Sequence, residues 1–89
     1  MRQFASGSAA SVYYAPQFER LSRNKLLLMA AMGLCAFQGR PGDVRRMSMK
    51  VLTNAAASVY CFMHGEEQPD GTFLVEDLNI DDLERKIVV

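Results

Sequence analysis

The sequence predicts a mainly α-helical fold: an antiparallel αα-hairpin of two long helices, followed by a short C-terminal strand and turn and a short terminal helix, the whole completed as a four-helix dimer. Three observations predict it. Residues 17–37 contain no proline and no β-branched side chain, residues 38–42 (Gln-Gly-Arg-Pro-Gly) make a marked stop, and a second run of about twenty-one residues follows before Gly65. The domain reading is a flexible arm over residues 1–15 and one helical domain over 16–89, with helices at about 16–38 and 43–64 and an acidic tail at 66–89.

The arm is rich in Ser and Ala until Val12-Tyr13-Tyr14, which could form a short strand. Pro16 then suits the first position of a helix, where its missing N–H costs nothing. Gly39 is a candidate left-handed terminator and Pro41 cannot continue the helix. Asp43 is a good N-cap for the second helix, and Gly65 is its C-terminal stop. Two long helices joined by about five residues must lie antiparallel, in a register that sets Leu26 and Leu27 against Asn54 and Ala55 and packs large side chains on small ones. Residues 66–71 (Glu-Glu-Gln-Pro-Asp-Gly) read as a turn because proline presets φ and Asp-Gly tolerates the rest. Thr72-Phe73-Leu74-Val75 reads as a strand, and Asp77 or Asn79 can cap a final helix with Ile80, Leu83 and Ile87 on one apolar edge.

A chain of 89 residues makes one domain, and a domain of this size hides only roughly 60 to 65% of the surface its unfolded chain exposes. Helix one is apolar on every side between Leu26 and Phe37, and such a helix must be covered on all faces. Leaving four large side chains exposed forfeits on the order of 6 to 12 kcal/mol, at about 1.5 to 3 each, which rivals the stability of a whole domain. Hence the expectation of a homodimer or a stable protein complex, with Leu28, Met32 and Cys35 on the interface stripe. The segment from Lys25 to Gln38 imitates a signal peptide, but its apolar run begins twenty-five residues in and bulky Leu34 precedes Cys35, so a core helix is the reading. At twelve residues the run is short of the about twenty needed to span a bilayer, and no membrane association is expected. Cys35 and Cys61 lack the spacing of a disulfide framework, which points to a reducing, cytoplasmic setting.

Charge divides the chain. Residues 1–50 carry eight Lys and Arg against Glu19 and Asp43, whereas residues 51–89 carry eight Asp and Glu against Arg85 and Lys86. Such asymmetry points to a charged partner or to a tail folded over the basic half. The candidate partner-binding residues are Arg40, Arg45 and Arg46 at the hairpin tip and Asp77, Asp81, Asp82 and Glu84 in the tail. Arginines at a helix N-terminus could grip phosphate, so a dimeric nucleic-acid-binding regulator is the alternative reading, but a pI of about 6.5 is far below that of a dedicated nucleic-acid binder.

Catalytic chemistry has little support. His64 is the only histidine, and Cys61, three residues earlier, sits near a helix C-terminus whose dipole disfavours a thiolate. Asp77-Leu-Asn79-Ile-Asp81 opens like a calcium loop, but Asp82 stands where glycine is needed and Val88 where glutamate is needed. The expectation is a non-enzymatic protein–protein interaction module, an adaptor, assembly factor or inhibitor, with no catalytic residue, cofactor or metal site. In the register above Gly33 meets the facing helix, so Gly33→Leu is expected to lower stability by about 1 to 3 kcal/mol through overpacking, measured by denaturant unfolding; an unchanged midpoint would place Gly33 at solvent.

Overall fold

The computed structural model describes residues 1–38 and 43–88. Among these the chain forms β1 (Arg2–Phe4), α1 (Gly7–Phe18), α2 (Arg23–Gln38), a 3-10 turn (Val44–Arg46), α3 (Met49–His64), β2 (Gly65–Glu67), β3 (Phe73–Val75) and α4 (Ile80–Lys86). The fold is mainly helical with a small antiparallel sheet in the order β1-β3-β2.

Residues 1–15, expected as an arm, supply β1 and most of α1. Ser6 caps α1 by accepting the Ala9 N–H at 3.1 Å, and two alanines in the first turn favour helix. Ala10, Tyr14 and Phe18, four residues apart, are buried. That spacing places them on one helix face, so Tyr13 and Tyr14 belong to a helix and the N-terminal strand lies at residues 2–4. Pro16 stands inside α1, in its last turn, where only one helical hydrogen bond is lost before the helix stops. The expected helix 16–38 is thus two helices. The break is closed by the Arg20 and Leu21 N–H groups donating to the carbonyls of Gln17 and Phe18, with Leu21 pinned in the core.

The second half of the expected hairpin also differs. Asp43 precedes a 3-10 turn without a capping hydrogen bond from its side chain, and Ser48 caps α3 by accepting the Val51 N–H. Arg23, at the start of α2, donates to Met49 Sδ at 3.0 Å, at the start of α3, and to the Arg45 carbonyl at 3.1 Å, in the 3-10 turn just before it. Further along, Leu28 and Met32 share a groove with Val59 and Met63. In this stretch α2 and α3 therefore run in the same sense, and the expected facing of Leu26 and Leu27 with Asn54 and Ala55 is replaced. The antiparallel neighbour of α3 is α1: Glu19 and Pro16 lie beside Met49 and Lys50, while Gly7 and Ser8 lie beside Phe62.

Packed by α1 on one side and α2 on the other, α3 buries Leu52, Ala56, Val59 and Tyr60 together with Thr53, Ala57 and Cys61. The alanines at 10, 30, 56 and 57 are all 1% exposed or less, which lets the backbones approach closely. Buried Thr53 is satisfied because its hydroxyl donates to the Met49 carbonyl at 2.7 Å. Gly33 is buried as well.

The C-terminal third follows its sequence expectation except at Glu66 and Glu67, expected in the turn, which instead pair with β3 as strand β2. Pro69, Asp70 and Gly71 form the loop between β2 and β3, with Gly71 N–H donating to the Gln68 carbonyl at 3.0 Å and Gly71 at φ 85°. Phe73 pairs with Phe4 on one side and Glu67 on the other. Asn79 caps α4 by accepting the Asp82 N–H at 3.1 Å, with Asp81 and Asp82 in the first turn and Arg85 and Lys86 in the last, as the helix dipole favours. Ile80 is buried, and Leu83 and Ile87 pack against the core.

Gly65 ends α3 as expected, but not through a left-handed conformation. Its φ of −91° is ordinary extended backbone, so left-handed freedom is not what requires glycine there. The need is space: a methyl group would overlap both the Phe73 ring and the Cys61 carbonyl oxygen. Gly65→Ala should therefore lower stability by about 1 to 3 kcal/mol through overpacking, read from urea unfolding. Wild-type stability in this variant would mean that the β2–β3 hairpin does not press on the end of α3.

Candidate functional site

One group of exposed apolar side chains lies on the side of the molecule where α2, the C-terminal part of α3 and α4 meet. On α2, Leu28, Met32 and Cys35 follow one another at spacings of four and three residues, which aligns them on one face. Leu28 and Met32 are 38% and 47% exposed, and the Cys35 thiol is free and exposed. Across from them stand Met63, 62% exposed, and Val88 beyond α4, 83% exposed. Between these lips lies a groove of ≈ 290 Å³ whose floor is made by buried Met29, Val59 and Tyr60, with Leu83 and Ile87 on the α4 side. Three methionines in its wall give a surface that can adapt to the shape of an occupant.

The groove shares Tyr60, His64, Leu83 and Lys86 with a smaller polar hollow of ≈ 160 Å³ that also includes Glu76, Asp77 and Asp82. His64 lies with its ring centroid 4.6 Å from that of Tyr60 and its Nδ1 3.8 Å from Glu76 Oε2. The Tyr14 hydroxyl donates to the Glu76 carbonyl at 3.2 Å, which ties this segment to α1. Lys86 Nζ reaches Asp82 Oδ2 at 2.8 Å, and this hydrogen bond holds the Asp82 carboxyl below the usual carboxylate range. The groove is thus apolar along its length and acidic at one end.

The acidic candidates from the sequence all have partners within the chain. Asp81 pairs with Arg20 at 3.1 Å and Glu84 with Lys25 at 3.0 Å, Lys25 also donating to the Glu84 carbonyl. Asp77 meets the Met1 amino group at 3.2 Å. The tail therefore lies over the break between α1 and α2, and part of the charge asymmetry is matched internally. Most of these groups are well exposed, so each pair is worth little, about 0 to 1 kcal/mol. Arg45 and Arg46 both reach Asp43, at 3.8 and 3.3 Å. Arg40 lies outside the described residues. Asp77 and Asp82 join the groove's polar end, whereas Asp81, Glu84, Arg45 and Arg46 do not line it.

Of the residues expected at an interface, Leu28 and Met32 line the groove. Sequence reasoning missed Met63, Val59 and Val88, although Val59 and Met63 are four residues apart and share a helix face. Their importance depends on α4 returning beside α3, which no local pattern encodes. Among the described residues no group of three His, Cys, Asp or Glu side chains is placed to hold a metal ion, and no helix is long and apolar enough to cross a membrane. Comparison of the chain with protein-family models, with curated proteins and with solved structures finds no match.

Burial beside the groove has a measurable consequence. Desolvation pushes the Cys61 thiol up to about 11 from 9.0, and desolvation together with the negative charge of Glu76 pushes Tyr60 up to about 12 from 10.0. The folded protein then holds protons that the unfolded chain releases at lower pH, so the stabilisation is complete below about pH 9 and is lost as pH rises toward 12. The urea midpoint should fall steadily above pH 9; a midpoint unchanged to pH 11 would contradict the burial of these two groups.

Proposed function

We propose that the protein is a small interaction module without catalysis, which docks an apolar segment of a protein partner in the groove between α2, α3 and α4. Adaptor, assembly factor and inhibitor are all roles of this kind, and the free thiols of Cys35 and Cys61 suit a reducing, cytoplasmic setting. The observation that carries the reading is the set of exposed apolar lips, Leu28, Met32, Met63 and Val88, around a floor that is already formed. Contiguous apolar surface rimmed by polar groups is the usual mark of a protein contact. Glu76, Asp77 and Asp82 at the polar end favour a segment whose apolar residues are followed by a cation.

A non-catalytic role is supported by the chemistry beside the groove. At neutral pH a buried thiol raised to about 11 is not a thiolate, and His64 is engaged by Tyr60 and Glu76 rather than by Cys61. A homodimer through Leu28, Met32 and Cys35 would use the same wall as a foreign segment, so the two would compete. The nucleic-acid reading has less support, because Asp43 sits between Arg45 and Arg46 and offsets their charge.

A photo-crosslinking side chain placed at Met32 or Met63 in the native host is expected to capture one discrete partner protein, and a probe at exposed Asn24 is expected to capture none. Met63→Asp in the Met32-probe chain should abolish the capture with the melting temperature unchanged. Equal labelling from all three probe positions, or capture that survives Met63→Asp, would contradict the groove as the docking site.

A further inference from the structure

A second apolar surface lies on the opposite side of α3 from the core and owes nothing to the groove. Val51, Ala55, Ser58 and Phe62 follow at spacings of four, three and four residues, which aligns them in one stripe along the solvent face of the helix. Val51 is 48% exposed and Phe62, which lies beside Gly7, Ser8 and Phe73, is still 60% exposed, with Ala55 and Ser58 half-buried between them. The order is large, small, small, large.

That order is symmetric. The outer pair and the inner pair share one midpoint, between residues 56 and 57. A second α3 laid antiparallel across the first, about a two-fold axis through that midpoint, sets Ala55 against Ser58 of the second copy and Val51 against Phe62 of the second copy. Packed helices cross at an angle, so they approach most closely at the crossing point and diverge toward their ends. Small residues at the centre permit the approach, and the large residues fill the widening gap on either side.

Charge follows the same symmetry. The 3-10 turn and the first turn of α3 place Arg45, Arg46 and Lys50 at one end of the stripe, with the Arg45 and Arg46 side chains 85% and 89% exposed; Asp43, which pairs with both arginines, offsets part of this charge and leaves the end net basic. Exposed Glu66 and Glu67 of β2 follow directly on the other end. Among the described residues no ion pair involves Lys50, Glu66 or Glu67. The antiparallel arrangement brings the basic end of each copy to the acidic end of the other. A two-fold interface requires a self-complementary surface in both shape and charge, and this stripe meets both conditions.

We infer that the outer face of α3 is a self-association surface that seats a second copy of this chain, antiparallel about the midpoint of Val51 and Phe62. The inference is independent of the groove reading. It relocates the self-contact from Leu28, Met32 and Cys35 to α3, which leaves each groove open in the dimer.

The test is sedimentation of the full chain over a dilution series at low and high salt. The expected result is a dimer that weakens as salt rises, because its rim pairs are exposed to screening. Ala55→Arg places a bulky cation at the crossing point and should weaken association about tenfold or more, with the helical circular dichroism retained. Since Ala55 is half-buried, a second set of variants at exposed positions guards against simple misfolding. The double variant Glu66→Lys with Glu67→Lys should weaken the dimer, and adding Arg45→Glu with Arg46→Glu should restore it. A monomer at every concentration would overturn the inference. So would a dimer indifferent to Ala55→Arg but lost on Met32→Asp, which places the self-contact at the groove, or charge-reversed chains that associate like the wild type.

Discussion

The burial of α3 between α1 and α2 is the constraint on which the rest of the structure depends. A helix flanked on two sides must present a wide apolar arc, and α3 does so with Leu52, Ala56, Val59, Tyr60 and Cys61. Small residues at Ala10, Ala30, Ala56 and Ala57 allow both neighbours to come close, and Tyr60 joins the layers by contacting Tyr14 and Phe18 with ring centroids 6.1 and 5.7 Å away. The aromatic contacts continue through Phe4 to β1, so the sheet is attached to the helical core through its N-terminal strand. Two surfaces remain once α3 is enclosed: the groove where α4 returns beside it, and the outer stripe, whose Val51 and Phe62 are 48% and 60% exposed.

The legible parts of the sequence are those governed by local chemistry. The turn at Pro69-Asp70-Gly71, the strand at Phe73–Val75 and the Asn79 cap with its charged flanks follow from backbone preferences of single residues. The illegible parts depend on tertiary contacts. Nothing between Glu19 and Ser22 breaks a helix by propensity, yet the chain turns there because Phe18 and Leu21 are both drawn into the core. The Ser/Ala-rich start reads as a flexible arm in the sequence, whereas Ala10, Tyr14 and Phe18, four residues apart, form the buried face of α1. Gly65 was legible as a glycine and not as a close approach, because Phe73 reaches it only through the β2–β3 pairing.

The candidate site was half legible for the same reason. An all-round apolar helix announces that some surface must be covered, and Leu28 and Met32 are indeed where α2 meets the groove. The opposite wall comes from α3 and α4, whose placement depends on the whole fold. Of the two readings of the charge segregation, the tail folded over the basic half agrees with the pairing of Arg20 and Lys25 with Asp81 and Glu84, so much of the tail's charge is taken up by exposed, weakly contributing contacts within the chain. What distinguishes this surface is therefore its apolar relief, with charge setting orientation at the ends.

Amide hydrogen exchange resolved to single residues tests the enclosure of α3 most directly. Amides of Tyr14, Ala15, Gln17 and Phe18 in α1 and of Leu52 to Cys61 in α3 should exchange together at the slowest rates in the molecule, since neither helix can open without exposing the other. Residues 7–18 exchanging at the rate of unstructured chain while α3 stays protected would contradict the account, because α3 would then be enclosed on one side only.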